Sequence, residues 1–257
     1  LNLITSVDIL ADLHTHTIFS KHAYSTLKEN VTEANEKGIK YLAVTDHYFV
    51  QNDYVENKND LARMMYVHEV KPRNGVVIIP GAEFNLMQPF SPLLNMAKLY
   101  KNVLWRPVGV HSWYMKVEEC RAEDFYTGFK QLFDDNAMYV KPTAFCHIER
   151  KFNKCKDPEN VEAVLYKIVD LAIDRGIYLE LNENSIRRGL YNGNIDRMKQ
   201  WVSYAVRRGA WFCLGTDAHY AEAVGDFTNI IELVNDMGIE KSRILNCNEQ
   251  ELFKFVK

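Results

Sequence analysis

The sequence predicts an α/β fold built on a parallel sheet, and two observations predict it. Seven short apolar runs recur along the chain, each of a length that suits a buried strand. Longer amphipathic segments, several with cap residues at their ends, fall between most of them. Strand and helix in alternation imply a parallel sheet, and a sheet that closes on itself makes a barrel. The 257 residues fit one such unit, so residues 1–257 are read as a single domain.

The first run is ILADL (9–13), and the segment TLKENVTEANEKG after it stops at Gly38, a residue suited to end a helix. YLAVT (41–45) and VVIIP (76–80) come next, and residues 49–75 between them show no clean period. PVGV (107–110) is followed by 112–140, equally irregular; both stretches are read as helices joined by long loops. TAFC (143–146) leads into DPENVEAVLYKIVDLAIDRG, which opens on Asp157 and Pro158 and ends at Gly176. YLEL (178–181) precedes NIDRMKQWVSYAVRRG, with Asn194 before the helix and Gly209 after it, and WFCLG (211–215) is the last run.

Composition narrows the function classes. A net charge of −3 argues against a general nucleic-acid binder, which would be basic. The five cysteines Cys120, Cys146, Cys155, Cys213 and Cys247 are odd in number and well separated, with no C-x-x-C. They read as reduced thiols of a cytoplasmic protein, with Cys146 and Cys213 packed in the core. No apolar stretch approaches a membrane span, and LNLITSVDILADL lacks the basic start of a secretory signal.

The polar ends of the apolar runs carry the chemistry. His14 and His16 follow the first run, with His22 close behind, and His47 follows the second. Glu83, His111 and His147 follow the next three, and Asp217 with His219 the last. Any one of these would more often be a satisfied structural residue than a ligand. Together they place seven of eight histidines and two carboxylates at the C-terminal ends of strands, the rim where barrels build their sites. His68, in a helical stretch, reads as packing or solvent-facing. Imidazole and carboxylate together suit zinc first, with manganese or iron as alternatives. Catalytic zinc takes about three protein ligands, so nine candidates imply roughly three divalent ions. Alternate residues of a strand share a side, which would put Asp12 beside the imidazoles as a partner for a ring N–H. The same alternation turns Asp46 away, toward a structural role.

HTH, TDH, GAEFN, the histidines at 111 and 147, and GTDAH, in that order, resemble the PHP (polymerase and histidinol phosphatase) family. The element from His14 to His47 is most similar to the YcdX-type branch of small bacterial phosphatases. The resemblance implies a distorted (β/α)7 TIM-like barrel with a trinuclear metal site. It implies that His14, His16, Glu83 and Asp217 hold one ion. Glu83 bridges to a second, completed by His111 and His147, and His22, His47 and His219 hold the third. The chain departs from relatives at Tyr48, in CHIERKFN after His147, and at Asn182 and Asn184, positions that would border the substrate.

Such a centre would be strongly positive inside a chain of net charge −3, and it would draw phosphate dianions and stabilise charge on their oxygens. The function implied is hydrolysis of small phosphomonoesters by a metal-bound hydroxide, with no protein nucleophile. Arg150, Arg187 and Arg188 are candidates to clamp the phosphate, against the plainer reading as solvated loop charges. Tyr24 and Ser112 are weaker candidates. A histidinol phosphatase, a nucleotide or nucleic-acid phosphodiesterase, and a non-catalytic metal-binding module remain alternatives. The expected partner is a small phosphorylated substrate, with neither nucleic acid nor membrane. Oligomeric state stays open, a homo-oligomer being allowed.

Overall fold

The computed structural model describes residues 3–48, 50–51, 54–55, 66–67, 69–86, 102–111, 116–133, 141–192 and 195–256. The side chain of Tyr48, and all of His68, Ser112 and Asn194, lie outside the described residues.

Seven parallel strands form the wall. They are β1 (Ala11–Thr15), β2 (Tyr41–Val44), β6 (Val77–Pro80), β8 (Pro107–Gly109), β9 (Ala144–Phe145), β10 (Tyr178–Asn182) and β11 (Phe212–Gly215), one for each apolar run. Two of them continue past a break: β2 into β3 (His47–Tyr48), and β6 into β7 (Glu83–Asn85). A short antiparallel pair, β4 (Val50–Gln51) and β5 (Tyr54–Val55), stands apart. One sheet runs β1-β2-β6 and the other β11-β10-β9-β8-β7-β3.

Two seams join the sheets into a barrel. At one, Asp217 N–H donates to His14 carbonyl at 2.8 Å and His16 N–H to Ala218 carbonyl at 2.9 Å. Lower on that seam the Asn246 side chain donates to Ala11 and Leu214 carbonyls and accepts from Leu214 N–H. At the other, Gly81 pairs in parallel with Trp105. Gly81 is required there, because an added Cβ would lie 3.0 Å from the Trp105 carbonyl and from the Thr45 side chain. The fold is therefore α/β, a distorted (β/α)7 barrel, as expected.

Alternation along the strands sorts two cores. Ala11, Leu13, Tyr41, Ala43, Ile79, Ala144 and Cys213 gather inside with Trp105, whose indole N–H donates to Leu13 carbonyl at 2.8 Å. Leu252 and Phe255 near the C-terminus cover that cluster, with Phe255 and Trp105 edge to face at 5.0 Å. Leu42, Val44, Ile78, Leu179, Leu181, Phe212 and Leu214 face outward into the larger core shared with the helices.

Capping fixes where helices begin. In helix Leu27–Glu36, Thr26 accepts from Glu29 N–H while Glu29 accepts from Thr26 N–H. Helix Val161–Arg175 ends at Gly176 in the left-handed region, φ 64°. Thr26→Ala is expected to lower stability by about 1 kcal/mol, read as a shifted urea midpoint at constant m-value.

Candidate metal centre

Each strand end delivers its polar residues to one place. Glu83 is the hub: it is 1% exposed, and its carboxylate meets five imidazoles. Oε1 lies 2.7 Å from His147 Nε2 and 3.1 Å from His111 Nε2. Oε2 lies 3.1 Å from His47 Nδ1, 3.3 Å from His14 Nε2 and 3.4 Å from His16 Nε2. Asp217 Oδ1 is 3.2 Å from His16 Nε2 and 3.5 Å from His219 Nδ1. Next to these, the ring of His22 lies 4.7 Å from that of His219 and 5.0 Å from that of His47. All nine residues read from the sequence as ligands are thus brought together.

The backbone bends to achieve this. His147, Asp217 and Lys21 adopt positive φ (32°, 55° and 64°), uncommon for side chains of this kind. The first two turn the chain at the ends of β9 and β11, and Lys21 turns it just before His22. Gly215 is needed beside them, since an added Cβ would lie 2.5 Å from Glu180 Oε1.

Hydrogen bonds fix the proton on three of the rings. Ser20 O–H donates to Asp46 at 2.7 Å, so its oxygen accepts from His16 Nδ1 at 2.9 Å. His14 Nδ1 donates to Glu180 Oε1 at 2.5 Å, and His219 Nδ1 to the Asp217 carbonyl at 2.8 Å. Each ring, when neutral, then turns the lone pair of its Nε2 toward the site. Those of His14 and His16 stand 3.2 Å apart, beside the oxygens of Glu83 and Asp217. Lone pairs and carboxylates this close repel unless a cation lies among them, so the donor set fits metal ions. Among the described residues five overlapping sets fall within 4.8 Å: His14 with His16 and Asp217, His14 with Glu83 and His147, His14 with Cys146 and Glu180, His47 with Glu83 and His111, and His16 with His47 and His219.

The electrostatics agree. Burial alone would raise Glu83, yet His111, His47 and His14 hold it well below the usual carboxylate range. Burial opposes ionisation of Asp217 as well, and Arg150 and the imidazoles outweigh it. Burial pushes His47 well down, and His219 down to about 4, which keeps both rings neutral. For His14 burial is overcome by Glu180 and Glu83, which raise it well above the ordinary value, so the site favours a cation at this ring.

Asp12 corrects the reading by alternation. Between Asp12 and Thr15 on β1 and Leu42 and Val44 on β2 the register slips, so alternation fails there. Asp12 accepts from the Thr216 hydroxyl and from Thr216, Gly225 and His14 N–H groups, and touches no imidazole. Glu180 takes that place: it receives His14 Nδ1, His147 N–H at 3.1 Å and Asn182 Nδ2 at 3.1 Å. Its signal in the sequence was a charge in mid-strand, flanked by Leu179 and Leu181. Asp46 straps the turn after β1 through Thr17 and Ser20, a structural role that also orients His16. Cys146, buried as expected, points its thiol at Glu83 Oε1 at 3.5 Å.

A cavity of about 390 Å³ opens over this centre, and Arg150, Arg187 and Arg188 line it. Arg150 Nη1 pairs with Asp217 Oδ2 at 2.9 Å, and Asn184 Nδ2 donates to the same oxygen at 3.2 Å. Arg187 and Arg188 lie on helix Glu183–Asn192, which starts directly from β10, with Asn182 accepting from Ser185 N–H at 2.9 Å. Tyr24, 83% exposed, also lines the cavity.

Comparison with known proteins gives a family and a fold. A model of the PHP domain matches residues 12–184. The histidinol phosphate phosphatase of Lactococcus lactis subsp. lactis Il1403, solved with zinc, L-histidinol and phosphate, superposes with a TM-score of 0.61 at 17% identity, over 90% of this chain and 94% of that one. The putative histidinol phosphatase of Listeria monocytogenes gives 0.62 at 18%, over 84% and 97%. At such identities these two likenesses speak for the barrel alone.

Proposed function

This chain belongs to the PHP domain family, and from that premise we propose that it is a metal-dependent phosphatase of small phosphomonoesters with a trinuclear centre. One observation carries the reading: the Nε2 atoms of His14 and His16, 3.2 Å apart among carboxylate oxygens, a cluster that calls for a cation. His14, His16, Glu83 and Asp217 would hold one ion, Glu83 with His111 and His147 a second, and His22, His47 and His219 a third. Zinc is the first choice, and manganese or iron suits the same donors. When bound, the ions supply Lewis acidity and water whose pKa falls to about 7.

The chain's own groups do the rest. Arg150, already at Asp217, binds the phosphate at the metal end of the cavity and balances its charge. Ser20 with Asp46, and Glu180, hold the imidazoles of His16 and His14 in one tautomer. The free thiols support a reducing, cytoplasmic setting, and among the described residues no helix is long and apolar enough to cross a membrane.

The names of the two structural neighbours favour a second reading, histidinol phosphate as substrate. That substrate carries a cationic amine, and the guanidinium groups of Arg150, Arg187 and Arg188 around the cavity oppose it.

The test strips the protein with a chelator, reloads it with zinc, manganese or iron, and follows phosphate release from p-nitrophenyl phosphate with metal analysis. Activity lost on stripping and restored at about three ions per chain is the expected result. Full activity in metal-free protein, or no hydrolysis of any phosphomonoester after loading, would overturn the proposal.

A further inference from the structure

Resting on the phosphatase reading above, we infer that the substrate carries a second phosphate, seated on a cationic wall formed by Lys151, Arg187 and Arg188. Among the described residues four cationic side chains line the cavity, these three and Arg150. Among the described residues a single carboxylate meets any of them at ion-pair distance: Asp217, which meets Arg150. Arg187 has a neutral partner, donating to Asn184 Oδ1 at 3.3 Å.

The cavity's remaining acids are already engaged. Glu183 accepts from Asn229 and Ile230 N–H at the start of helix Thr228–Asp236. Asp226 accepts from the Thr228 hydroxyl and N–H. Among the described residues, Lys151, Arg187 and Arg188 are thus met by no carboxylate at ion-pair distance, and the wall is free to take an anion.

The cations also oppose one another. Burial, then Arg150, Lys154 and Arg188, depress Lys151; burial, then Arg150, depress Arg188. Like charges gathered on one cavity wall raise the local potential, and an arriving anion relieves the repulsion.

The geometry divides the labour. Arg150 is tied to Asp217 and so stands at the metal end, with the phosphate that reacts. Arg187 and Arg188 are exposed, one helical turn along from Asn184, and take the group that does not react. In the reaction water adds to the phosphorus of one ester and that P–O bond to carbon's oxygen breaks. The alcohol leaves with a proton from the water, orthophosphate is released, and the second ester stays intact.

The test uses matched pairs on the metal-loaded enzyme at low ionic strength: fructose 1,6-bisphosphate against fructose 6-phosphate, and adenosine 3′,5′-bisphosphate against adenosine 5′-phosphate. O-phosphoethanolamine serves as the cationic comparator. In at least one pair the bisphosphate should show a kcat/KM higher by about tenfold or more. Phosphoethanolamine should be the poorest substrate, and added salt should shrink the preference. In Arg187→Ala/Arg188→Ala the ratio should fall to within about threefold of one, and in Arg187→Glu/Arg188→Glu it should invert. Each protein is its own control through the ratio, and circular dichroism confirms that the variants fold. Monophosphate hydrolysis with ratios near one in both pairs, or a preference untouched by the variants, overturns this inference and leaves the phosphatase reading standing. Failure to hydrolyse any ester, p-nitrophenyl phosphate included, removes both.

Discussion

Glu83→Gln should lower kcat/KM for phosphomonoesters by at least about 10³-fold, equivalent to about 4 kcal/mol of transition-state stabilisation. The substitution changes one atom and almost no volume. It removes a charge shared by His14, His16, His47, His111 and His147 and sets an NH₂ group among nitrogens that need a cation. Metal analysis should show the ions around residue 83 lost first. The metal-free variant should melt lower than metal-free wild type, because the folded state holds the ionised Glu83 among the imidazoles and the substitution leaves them without that partner. A variant that keeps all its metal and stays within about tenfold of wild-type activity would contradict the role given to Glu83.

The barrel was legible because each wall strand is a run of residues that alternate between two apolar cores. That burial on both faces makes seven strands visible without an alignment. What escaped were the extensions. Residues 47–48 and 83–85 lie past polar or glycine breaks, at Asp46 and Gly81, where no local signal says that pairing resumes. Helix Glu183–Asn192 was hidden for the opposite reason. It follows β10 without a loop, so nothing after YLEL separates strand from helix, although Asn182 acts as its cap.

At the site, residue type was legible and direction was not. Nine imidazoles and carboxylates stood at strand ends in the sequence, and they do meet. Which second residue steadies each ring depended on a slip in register on β1 that no pattern of side chains announces. Asp12, two positions from His14, was the natural choice, yet the slip commits it to Thr216 and Gly225. Glu180, 166 residues away in the chain, took the ring instead.

That exchange gives the second large effect. Glu180→Gln should weaken metal binding and lower kcat/KM by about 10- to 100-fold, and Glu180→Leu should do more. Three donors converge on this carboxylate: His14 Nδ1, His147 N–H and Asn182 Nδ2. An amide offers one accepting oxygen where the carboxylate offers two, so at least one donor is left facing an NH₂ group. The cost falls on His14 in two ways. Its ring loses the partner that keeps the proton on Nδ1, and Nε2 becomes a weaker ligand without a carboxylate behind it. A merely structural role predicts something else: a lower melting temperature with metal affinity unchanged in the folded fraction. Competition with a chromogenic chelator separates the two, because the ion proposed at His14 should leave at lower chelator concentration while the one proposed at His22, His47 and His219 stays. If all ions are retained equally and activity is within about threefold of wild type, His14 is oriented by its strand alone, and Glu180 is a buried charge without a part in the chemistry.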